Sequence, residues 1–79
     1  MKVCVTVRLK PGVLDPQGKA IESSLGNLGH AGLSDLRQSK LFEFDLDTSD
    51  KDQARAQAEK MAQDLLANTV IENYQIEVG

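Results

Sequence analysis

The sequence predicts an α+β fold, a two-layer sandwich with two helices on one face of an antiparallel sheet. The expected order is β-α-β-β-α-β. Three observations carry this. Residues near both ends alternate apolar and polar with period two. Two internal stretches place apolar residues at three- and four-residue steps. Turn-forming residues, Pro11-Gly12 and Gly29 to Gly32, separate the two kinds of pattern. Period two marks strands, and a period near 3.6 marks helices that bury one stripe.

In residues 2–10, Val3, Val5, Val7 and Leu9 share one face, and Lys2, Cys4, Thr6, Arg8 and Lys10 share the other. That is the pattern of a half-buried strand. Pro11 cannot donate to a ladder and Gly12 suits a turn, so the strand ends there. Asp15 is the expected N-cap of a helix and Pro16 its first residue, since a carboxylate accepts from free N–H groups and Pro has none to lose. Ala20, Ile21, Leu25 and Leu28 form its apolar stripe. Gly18 and Gly26 weaken that helix by about 1 kcal/mol each relative to Ala. Gly29 fits a left-handed C-terminal cap.

Residues 33–39 are expected as a polar edge strand. In residues 40–47, Phe42, Phe44 and Leu46 alternate with Glu43, Asp45 and Asp47, which predicts a stronger strand, paired with the edge strand 33–39 as a hairpin through a turn near Ser39. Ser49, with Asp52 three residues on, is the expected cap of a second helix. Its buried stripe is Ala54, Ala58, Met61, Ala62, Leu65 and Leu66. Arg55–Glu59 and Lys60–Asp64 have the spacing of ion pairs on its outer face. Asn68 is expected to cap its end. Residues 70–78 close the chain as a strand with Tyr74, Ile76 and Val78 inward. This order is that of ferredoxin-like sandwiches.

The chain of 79 residues is expected to form a single domain, residues 1–79. A chain this short buries only about 60% of the surface it exposes when unfolded. With one Cys and one His there is neither an internal disulfide nor a zinc cluster to add stability. Oligomerisation is the remaining route, so a dimer or larger assembly is expected. The N-terminus lacks a signal-peptide apolar run, and a lone thiol fits a reducing compartment, so the expected location is cytoplasmic, with no membrane contact. A net charge of -3 and three aromatic residues argue against nucleic-acid binding.

Residue chemistry offers no active site. The acidic run 45–52 has Asp50 and Ala56 where a calcium-binding loop needs Gly and Glu. Cys4 and His30 lack the motif of an activated nucleophile. Gly26, Gly29 and Gly32 follow a helix rather than a strand, unlike a phosphate loop. No catalytic, metal or cofactor-binding residue is expected. This favours an assembly or regulatory subunit.

The run Val3-Cys4-Val5-Thr6-Val7-Arg8-Leu9-Lys10-Pro11-Gly12-Val13-Leu14-Asp15-Pro16-Gln17-Gly18-Lys19-Ala20 closely resembles the start of PurS proteins, and Leu65-Leu66-Ala67-Asn68-Thr69-Val70-Ile71-Glu72-Asn73-Tyr74 resembles their end. The resemblance spans the chain, with the middle matching mainly in pattern. Thr69 stands where the family often has Pro, and Gly26-Asn27 where stronger helix formers are common. The resemblance implies the small, non-catalytic subunit of phosphoribosylformylglycinamidine synthase. It implies a homodimer or tetramer that bridges a PurL-type synthetase and a PurQ-type glutaminase and assists ammonia transfer. ATP, Mg and glutamine would serve the complex, none of them bound by this chain. Arg8, Lys10, Pro11, Gly12, Val13, Leu14 and Asp15 are the candidate partner contacts. The alternative is a small-molecule-sensing regulatory domain of ACT type, which shares the element order.

Overall fold

A computed structural model describes all 79 residues. Strand β1 (Lys2–Leu9) is followed by helix α1 (Pro16–Asn27), strand β2 (Ser39–Asp45), helix α2 (Lys51–Met61), a π-helical turn (Ala62–Leu66) and strand β3 (Glu72–Val78). The strands form one antiparallel sheet in the order β2-β1-β3. Val3 lies opposite Phe44 and Val78, and Val5 opposite Phe42 and Ile76. These pairs share one face, as side chains directly opposite in a ladder do.

That face is the core. Val3, Val5 and Val7 are fully buried beneath Ala54, Ala58 and Ala62 of α2 and its π-turn. β-Branched residues on a pleat against methyl-sized side chains let helix and sheet approach closely. Phe42, Phe44, Tyr74, Ile76 and Val78 flank this seam half-buried. The predicted class, the antiparallel sheet, and the strands at both ends hold.

Three expectations are corrected. Residues 33–38 form no strand, so the sheet has three strands and no hairpin at Ser39. Their backbone groups are claimed by side chains: Leu36 N–H donates to Glu22 Oε1 and Gln38 N–H to Asp15 Oδ2. Secondly, α1 does not lie on the sheet beside α2. Only Gly18 of α1 is buried. The inner face of three strands is already covered by α2, and the chain extends 48 × 24 × 15 Å. Its radius of gyration is 15.8 Å, against about 12 Å for a compact chain of this length. Thirdly, Leu65 is not in the buried stripe but 86% exposed. The π-turn, closed by Ala67 N–H to the Ala62 carbonyl at 2.9 Å, inserts one residue and rotates Leu65 outward while burying Ala67.

Smaller boundaries also moved. Asp50, not Ser49, caps α2, accepting from Asp52 and Gln53 N–H groups. Asn68 caps a turn rather than the helix: its carbonyl accepts from Ile71 and Glu72, and its N–H donates to Glu72 Oε1. The expected pairs Arg55–Glu59 and Lys60–Asp64 do not form. The ion pairs are Lys2–Glu43, Lys19–Glu22 and Lys40–Glu72. Gly29 takes the left-handed conformation expected of it, at φ +97°, and His30 N–H closes back on the Leu25 carbonyl.

Candidate partner-contact site

The connection from β1 to α1 is fixed by its own backbone and by a segment far along the chain. Lys10 N–H donates to the Ile71 carbonyl, and Val13 N–H to the Lys10 carbonyl at 2.9 Å. Lys10 to Val13 is therefore a β-turn with Pro11 at its second position, where a fixed φ is pre-organised. Gly12 is not in the left-handed region, and a Cβ there would meet nothing. The strand's end is thus imposed by Pro11 and the turn, not by glycine freedom.

Arg37 clasps this turn from the other side. Its Nη2 donates to the Lys10 carbonyl at 3.1 Å and the Val13 carbonyl at 2.7 Å. Asp15 completes the clasp. Its Oδ1 accepts from Gly18 N–H at 2.9 Å and its Oδ2 from Gln38 N–H at 2.8 Å. One carboxylate caps α1 and ties in residues 33–38. The Gln38 N–H chiefly, and then the Gly18 N–H, hold its pKa below the ordinary value of 3.8; burial opposes this and the Arg37 charge assists.

The candidate contacts divide accordingly. Arg8, Pro11, Gly12 and Leu14 are exposed, Leu14 to 68%. Lys10 and Val13 are half-buried. Asp15 is buried and acts inward. Sequence reading missed Glu22, Arg37 and Gln38, which act across separations of 14 to 27 residues that no local pattern signals. Cys4 lies mid-strand on the outer face and His30 beyond α1, and no hydrogen bond joins them. No cluster of three His, Cys, Asp or Glu side chains is placed to hold a metal ion. No helix is long and apolar enough to cross a membrane.

Residues 2–79 match the family model of PurS, described as phosphoribosylformylglycinamidine (FGAM) synthase. The chain belongs to the PurS family. It is 48% identical over 75 residues to the PurS subunit of Mycobacterium leprae, covering 95% of this chain and 91% of that one. With the PurS subunit of Bacillus subtilis it shares 43% over 77 residues, covering 98% and 90%. The crystal structure of Methanocaldococcus jannaschii PurS, one of the subunits of formylglycinamide ribonucleotide amidotransferase in the purine biosynthetic pathway, superposes with a TM-score of 0.89 at 32% identity, over 99% and 94% of the two chains. A chain of the PurLQS structure from Thermotoga maritima superposes with a TM-score of 0.88 at 28% identity, over 96% and 93%. The PurS fold therefore extends over almost the whole chain.

Proposed function

We propose that this chain is the non-catalytic small subunit of phosphoribosylformylglycinamidine synthase in purine biosynthesis, acting in the cytoplasm. It bridges a PurL-type synthetase and a PurQ-type glutaminase. In that assembly it assists passage of ammonia from glutamine to the ATP- and Mg-dependent conversion of formylglycinamide ribonucleotide to its amidine. ATP, Mg and glutamine belong to the complex and none is held by this chain. The observation that carries the reading is family membership over residues 2–79. The naming of a PurLQS assembly for the Thermotoga maritima relative supports the two partners.

The geometry supports a contact role for the Pro–Gly turn. Arg37, Ile71 and Asp15 immobilise it, while Pro11, Gly12 and Leu14 remain exposed on its rim. A rigid exposed loop loses little entropy on binding. Self-association is supported by the apolar stripe of α1, where Ile21 and Leu28 stand exposed.

Reconstitution tests the reading. Synthetase and glutaminase are assayed with and without this chain, using glutamine or free ammonia as donor. Omission should abolish glutamine-dependent synthesis and spare ammonia-dependent synthesis. Unchanged glutamine-dependent synthesis would end it.

A further inference from the structure

The face of the sheet turned away from α2 holds a groove of about 380 Å³. It is lined chiefly by Thr6, Arg8, Asp35, Arg37, Asn73 and Gln75. Register accounts for four of these: Arg8 lies opposite Asn73 and Thr6 opposite Gln75 on neighbouring strands. The clasp that fixes the Pro–Gly turn adds Arg37. In a chain of net charge -3, two guanidinium groups here meet a single carboxylate, Asp35.

Both guanidinium groups have free donors. Arg37 spends Nη2 on the Lys10 and Val13 carbonyls, and its other N–H groups find no acceptor in the chain. The Arg8 guanidinium forms no hydrogen bond and no ion pair. A guanidinium fixed by two carbonyls presents its remaining donors in a set plane, and that fork matches a carboxylate. Asn73, Gln75 and Thr6 add amide and hydroxyl groups of the kind that pair with a peptide backbone. Asp35 counts against a multiply charged anion such as phosphate.

We infer that this groove docks an acidic side chain of a partner subunit, an Asp or Glu whose carboxylate lies between Arg8 and Arg37. The inference rests on the subunit reading above and identifies the chemistry of one contact in it.

Calorimetric titration of the full chain with the synthetase and glutaminase subunits tests this, at low and high salt. Arg8 is the position to change, because Arg37 also holds the turn. Arg8→Glu should weaken binding to one subunit by about tenfold or more, with Arg8→Gln intermediate, and high salt should shrink the difference. The thermal midpoint should be unchanged. Wild-type affinity in both variants would overturn the docking site and leave the subunit reading standing. If the wild-type chain binds neither subunit, the subunit reading fails and the inference falls with it. Sodium glutamate serves as a free carboxylate probe. If it raises the wild-type midpoint while Arg8→Glu binds the subunits normally, the groove is a small-molecule site and the inference is overturned.

Discussion

Gly18 shows how a residue that weakens a helix can be required by packing. A Cβ at this position would meet the Leu36 carbonyl oxygen at 2.6 Å and Asp15 Oδ2 at 2.8 Å. Backbone and a bonded carboxylate cannot both retreat, so Gly18→Ala should lower the unfolding midpoint despite the helix propensity it gains. Gly26 is the control, since a Cβ there meets nothing within 4 Å. Gly26→Ala should raise stability by up to about 1 kcal/mol. Chemical denaturation of both variants checks the opposite signs. Asp15 adds a pH signature. Its folded pKa is depressed, so its stabilisation is present above the unfolded value of 3.8 and is lost as pH falls through the lower folded value. Acid titration of wild type and Asp15→Asn should give stability curves that converge below pH 3.8. Parallel curves would deny Asp15 this role. The capping part of Asp15 was legible, because Asp before Pro is a local signal. Its bond to Gln38 was not, because it joins residues 23 apart.

At the scale of elements, legibility followed periodicity. β1 was readable to within a residue because four apolar residues alternate without interruption. α1 was readable in extent through its Asp15 cap and Gly29 stop. What α1 packs against was not readable, because an amphipathic stripe states that a face is apolar and not which surface covers it. The end of α2 was misread for a different reason. A π-turn keeps the same residue types and shifts only the phase. Up to Ala62 the four-residue stripe held, and one residue of slippage then exchanged Leu65 for Ala67. The shift is testable. Leu65→Gln should change stability by less than about 0.5 kcal/mol, as exposed substitutions do. Leu66→Gln introduces an amide where the chain packs on the core and should cost more than about 1 kcal/mol. Equal costs would mean that the helix continues as regular α. The candidate site divided the same way. The turn at Pro11 was visible, and the Arg37 clasp that makes it rigid came from a segment whose polar sequence looked like an edge strand.

The whole molecule is more open than a compact monomer of its size. Its accessible surface is 5700 Å², whereas a compact monomer of 8.6 kDa should expose about 4,700 Å². The difference of about 1,000 Å² is comparable to the roughly 800 Å² that one partner buries in a stable interface. The buried core is correspondingly small, with three valines and four alanines. Part of the missing contact lies at α1. Its stripe is apolar, its seat on the sheet is taken by α2, and Ile21 and Leu28 remain exposed. Ile21, within α1, and Leu28, its C-cap, are seven residues apart and so fall along one line. A second copy of the chain would supply a matching stripe at equal concentration. The free chain should therefore behave as a dimer or tetramer in light scattering at micromolar concentration. Ile21→Asp with Leu28→Asp should convert it to a monomer. The sheet should survive that change, since neither residue touches the valine–alanine seam, and strand content by circular dichroism should be retained in the variant. A wild-type chain that scatters as a monomer would remove self-association and leave α1 to be covered by another subunit.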